Sequence, residues 1–195
     1  TGKSILSLTD VLVPEANSPS YRALLFTTPA LNTYASGVIL HSSTIDQKSS
    51  DGTSFVKLLS DKRIVTGVKL DLGMESLFAS SKEKHTKGLD TLEERAKLAY
   101  EQGCRFAKWR CVLVVDQGLP SNLSIEDTAN TLARYARMCQ DCGLVPIVEP
   151  ELLTDGNHSI EDCSEVSTRV FSAVFSALCR YNVLLEGTLF KPHMI

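Results

Sequence analysis

The chain has 195 residues, 43% of them hydrophobic and 22% charged, and a net charge of −3. That length can bury one substantial core and predicts a single domain over residues 1–195. The slightly acidic balance offers no basic surface to nucleic acid, no apolar run approaches the ~18 residues that span a bilayer, and residues 1–6 lack the long apolar segment of a secretory signal. The expectation is a cytoplasmic protein with no nucleic-acid or membrane partner.

The predicted elements alternate. Residues 4–8 form a first apolar run ending in Thr9 and Asp10, and a breaker-rich connection leads to Ser18 and Pro19, which cap and open a helix over 19–26. A strand follows over 36–40, a polar loop through Asp51 and Gly52, and a helix over 54–60. The third strand, 64–72, is apolar apart from Lys69 and Asp71. A polar loop over 75–87 leads to Thr91 and Glu94, a capping-box pair opening a helix that Gly103 ends.

The fourth strand, 104–115, carries Lys108 and Arg110 inside an apolar run. Ser124 and Asp127 open the next helix, which presents Leu132, Tyr135, Ala136 and Cys139 on one face and stops at Gly143. The fifth strand, 144–153, holds Glu149 and Glu151. A longer helix over 162–180 repeats Val166, Val170, Val174 and Leu178, and an apolar run from Val183 to Leu185 begins a sixth, buried strand that delivers Lys191. Strands alternating with helices predict an α/β protein with a parallel sheet, and charges at strand ends are where a (β/α)8 barrel puts its site.

Six cysteines are spread over 104–179, and Cys139 and Cys142 form a Cys-x-x-Cys with no second pair at zinc-finger spacing. They read as buried or half-buried thiols. The histidines do not cluster, so neither a metal nor a cofactor is expected. Trp109 alternates with Lys108 and Arg110, which turns it to the opposite face and into the core.

Three stretches carry a resemblance: Phe106-Ala107-Lys108-Trp109-Arg110, the run from Gly143 through Glu149-Pro150-Glu151, and Leu185-Glu186-Gly187-Thr188-Leu189-Phe190-Lys191-Pro192. Together they resemble class I fructose-1,6-bisphosphate aldolase, with weaker likeness reaching back to Gly2. The resemblance implies a TIM barrel of which about six βα units are present, incomplete at the C-terminus because the chain ends soon after Lys191. It implies a cofactor-free, glycolytic aldehyde-lyase acting on a phosphorylated sugar, and a homo-oligomer.

The resemblance also assigns roles. Lys191 becomes the Schiff-base lysine, Lys108 the cation that keeps it neutral and contacts the intermediate, and Glu149 the proton shuttle. Arg110, Lys69 and Glu151 line the substrate pocket. Two departures stand out. Thr9 occupies the position of an aspartate that touches the substrate hydroxyls, with Asp10 one residue late, and the loop beyond lacks the basic residues that help hold one phosphate. The other phosphate's contacts belong to a C-terminal third that this chain does not contain. An alternative reading is therefore an impaired aldolase-like binding or structural protein, and another is a Schiff-base aldolase for a smaller sugar phosphate.

Overall fold

The structure, a computed structural model, describes residues 18–78, 80 and 82–193. The first strand expected over 4–8, with Thr9 and Asp10, lies outside the described residues. The chain divides after Thr66 into two compact units.

In the first unit, α1 (Ser18–Thr27), α2 (Leu31–Tyr34), β1 (Gly37–His41), α3 (Ser42–Ile45) and α4 (Phe55–Asp61) follow in order. Ser54 caps α4, its side chain accepting from the Lys57 N–H at 3.2 Å. The Phe26 and Phe55 rings meet edge to face at 5.2 Å between centroids, joining α1 to α4. Leu40, Ile45, Leu59 and Ile64 are buried with Phe55. The Val65 N–H donates to the Ser36 carbonyl at 2.9 Å.

Strand β2 (Val65–Lys69) runs across the division. The second unit continues with β3 (Met74–Ser76), β4 (Lys84–Thr86), α5 (Leu92–Glu101), β5 (Phe106–Leu113), α6 (Asn122–Asp141), β6 (Val145–Leu152), α7 (Ile160–Arg180) and β7 (Leu189–Phe190). Strands β2, β5, β6 and β7 are neighbours in that order and pair in parallel. A parallel sheet is covered by its crossover helices, which explains its nearly continuous apolar runs. Trp109 of β5 is buried against Tyr135 of α6 at 5.3 Å between ring centroids, as its alternation predicts. Val166, Val170, Val174 and Leu178 are likewise buried along α7. Cys104, Cys111, Cys139 and Cys163 are buried, Cys142 is half-buried and Cys179 is exposed.

Helix ends follow local chemistry. Gly103 and Gly143 adopt φ of 102° and 77° just past the caps of α5 and α6, the left-handed conformation that glycine reaches without strain. A capping box opens α7, with the Ser159 N–H donating to Asp162 at 2.9 Å and the Asp162 N–H to Ser159 Oγ at 3.1 Å. The cap of α6 is Ser121, three residues before the expected Ser124, its Oγ accepting from the Ser124 N–H at 3.2 Å. Thr91 precedes α5 as expected but its side chain makes no capping bond. Its hydroxyl accepts instead from Arg95 Nε at 3.2 Å.

Two expectations need correcting. The polar stretch over 75–87 contains an antiparallel ribbon, with Glu75 opposite His85, held by main-chain pairing rather than by an apolar face. It is tied down by Thr86, whose hydroxyl donates to the Arg110 carbonyl at 2.9 Å. The apolar run from Val183 to Leu185 is not a buried strand. Leu184 is 60% exposed and Leu185 begins a 3-10 turn (Leu185–Gly187), so the strand that pairs is only β7. Gln140 of α6 is the reason. Its side chain accepts from the Leu184 N–H at 2.9 Å and donates to the Leu184 carbonyl at 2.8 Å, taking the groups a ladder would need.

Candidate active site

Parallel pairing brings charged residues of β2, β5 and β6 onto two nearby rungs, with Lys191 just past β7. Lys69 is the register partner of Lys108, Arg110 that of Glu149, and Val148 that of Phe190, which leads directly into Lys191. The Lys191 N–H donates to the Val148 carbonyl at 2.9 Å, so the lysine is set by the last rung between β6 and β7.

Glu149 is the centre. Its side chain is only 3% exposed and takes both flanking amines: Lys191 Nζ donates to Oε1, and Lys108 Nζ forms an ion pair with Oε2 at 2.8 Å, off the line of a hydrogen bond. Lys108 is 19% exposed and Lys191 54% exposed, so Lys191 is the amine that a solute can reach. A buried carboxylate between two amines avoids the large cost of a lone buried charge and can pass protons between its neighbours.

Further along the strands, Arg110 Nε binds the Glu151 carboxylate. That bond is the main reason the guanidinium is held above its ordinary range, with smaller support from Glu149 and Asp71. Lys69 pairs with Asp71, whose Oδ1 also accepts from the Gly73 N–H at 3.2 Å. Asp71 is the site member that the sequence reading passed over. Its signal was a charge inside the apolar run over 64–72, and its Oδ2 is buried with no hydrogen-bond partner among the described residues. A cavity of about 840 Å³ lies elsewhere, between the loops after β5 and β6, and none of the six candidate residues lines it.

So all six candidate residues lie on, or just past, neighbouring parallel strands, with Lys191 and Lys108 both in contact with Glu149. The model of "Fructose-bisphosphate aldolase class-I" matches residues 3–195. The chain belongs to this family. It is 54% identical over 183 residues to fructose-bisphosphate aldolase 1 of Toxoplasma gondii, covering 93% of this chain and 50% of the relative. It is 50% identical over 194 residues to the cytosolic fructose-bisphosphate aldolase 6 of Arabidopsis thaliana, covering 100% of this chain and 54% of that one.

Among solved structures, the fructose-bisphosphate aldolase of Plasmodium falciparum, crystallised with TRAP and a small-molecule inhibitor, matches with a TM-score of 0.95 and 48% identity. That match covers 100% of this chain and 57% of the other. The α/β fold expected from alternating strands and helices is thus that of an aldolase barrel, present in part. The chain spans about half the length of the curated relatives it matches. Among the described residues no helix is long and apolar enough to cross a membrane.

Proposed function

We propose that this chain carries the imine-forming centre of a class I fructose-bisphosphate aldolase, splitting fructose 1,6-bisphosphate reversibly into dihydroxyacetone phosphate and glyceraldehyde 3-phosphate. The observation that carries this reading is Glu149, buried between the Lys191 and Lys108 amines. The Lys191 amine attacks the ketone carbon, a C–N bond forms, and the carbonyl electrons pass to oxygen. Glu149, holding the proton it took to free the Lys191 amine, gives it to that oxygen, takes another from the nitrogen and passes it to the hydroxyl, which leaves as water. Lys108 stabilises the charge that develops on oxygen.

The resulting iminium accepts the electron pair of the breaking C3–C4 bond while the C4 hydroxyl gives its proton to water, releasing glyceraldehyde 3-phosphate. The enamine left on Lys191 is protonated at C3, and water returns the free amine and dihydroxyacetone phosphate. Arg110, Glu151 and Lys69 border the substrate, and Asp71 adds a carboxylate to that border. As in the relatives named cytosolic, the protein works in the cytoplasm, and it does so as a homo-oligomer.

Cleavage and imine formation make different demands on the sequence. Removing the C4 hydroxyl proton falls to a carboxylate in the family, where this chain has Thr9. Loss of a positioned base costs roughly 10²- to 10⁴-fold. Single-turnover release of triose phosphate, with and without Thr9→Asp, tests the reading. Slow cleavage that Thr9→Asp accelerates is the expected result; absence of both cleavage and covalent adduct overturns it.

A further inference from the structure

Two residues past Lys191 the chain carries His193, and its ring is enclosed by two other elements. Nε2 lies 3.0 Å from Ser167 Oγ and 3.7 Å from Cys163 Sγ, both on α7. The ring also packs on Phe171 of α7, 5.6 Å between centroids. From β6 it is faced by the Pro150 carbonyl and the Glu151 carboxylate. Pro150 is the residue between Glu149 and Glu151.

Hydrogen-bond directions decide which nitrogen carries the proton. Ser167 Oγ donates its single proton to the Cys163 carbonyl at 2.6 Å, so toward His193 it can only accept. Nε2 is therefore N–H, and Nδ1 keeps a lone pair. Nδ1 is buried with no hydrogen-bond partner among the described residues. Burial holds the ring below the ordinary imidazole range, outweighing Glu151 and the Pro150 carbonyl, which act the other way.

The backbone shows why this contact matters. Strand β7 has two residues, its ladder ends with the Lys191 N–H on Val148, and Pro192 has no N–H to add a further rung. The next tie is the one from His193 to Ser167.

We infer that His193 is a positioning residue for Lys191: as the neutral Nε2–H tautomer it pins the chain just beyond the lysine to α7 and so keeps the Lys191 amine on Glu149. The inference rests on the reading of Lys191 as the nucleophile. Its test uses the whole chain and readouts that do not require turnover. Long-range proton–nitrogen spectra at pH 7 should show Nε2 protonated and Nδ1 bare. In His193→Ala the Lys191 amide should exchange with solvent about tenfold faster or more, as for a local opening. His193→Gln, whose amide can still donate to Ser167, should restore most of the protection.

Reductive methylation by formaldehyde and cyanoborohydride then reads the amine itself. The pH profile of labelling at Lys191 should change in His193→Ala and return in His193→Gln, while that of Lys57, on α4, stays fixed. This labelling needs no sugar phosphate, so a protein that forms no ketose adduct but shows these changes keeps the positioning role and loses the aldolase reading. A ring protonated on Nδ1 at pH 7, or a Lys191 profile indifferent to both substitutions, overturns the inference.

Discussion

Arg110 and Glu149 are opposite one another in the β5–β6 register, yet they do not pair. Arg110 reaches forward to Glu151, and Glu149 takes the two lysines. The division follows from reach and burial. The deeper carboxylate is 3% exposed and meets flexible ammonium stems, whereas the planar guanidinium binds the more open one. It leaves Glu149 free of a permanent arginine partner, as the proposed proton relay requires.

Replacing Glu149 with Gln keeps the shape of the side chain and removes its ability to carry a proton. The rate of adduct formation on Lys191 with dihydroxyacetone phosphate should fall roughly 10²- to 10⁴-fold. Rapid-quench borohydride trapping measures it. A rate within a factor of about three of the parent would assign the proton relay to another group.

Glu83 is a structural counterpart to Glu149. It is buried and accepts both the Ser121 N–H and the Ser121 hydroxyl, each at 2.8 Å, holding the segment before β4 to the start of α6. Glu83→Ala leaves those donors without an acceptor, which costs roughly 1–3 kcal/mol. Urea unfolding should show a lower midpoint with an unchanged slope.

His193 sets a pH dependence whose sign can be worked out. Its folded pKa is lowered, chiefly by burial, so between that value and the unfolded value near ~6.5 the unfolded chain binds more protons. Stability therefore rises with pH through this window. It is fully present above about 6.5 and is lost as pH falls through the folded value. His193→Gln should remove this part of the slope, and urea midpoints across pH 5–7.5 (an interval of about that width around the imidazole range) compare the two proteins.

Much of the sheet was legible because strands buried on both faces read as apolar runs, and a charge within such a run stands out. That contrast exposed Lys69, Lys108, Arg110, Glu149 and Glu151 in β2, β5 and β6. It failed where the backbone is satisfied by side chains: Gln140 captures Leu184, so an apolar run that looked like a strand turns outward. The ribbon of β3 and β4 was hidden for the opposite reason, since its pairing involves exposed polar residues such as Glu75 and Ser76. Asp71 and His193 were visible as letters. Their partners, Lys69 by side chain and Ser167 across 26 positions, became apparent only in three dimensions.

The central claim is that Lys191 is the residue that bonds to substrate. Incubation with dihydroxyacetone phosphate and borohydride, followed by peptide mass mapping, tests it most directly. The account predicts one reduced adduct, on the peptide holding Lys191, abolished by Lys191→Arg. An adduct on Lys108 or Lys69 that survives Lys191→Arg would contradict it.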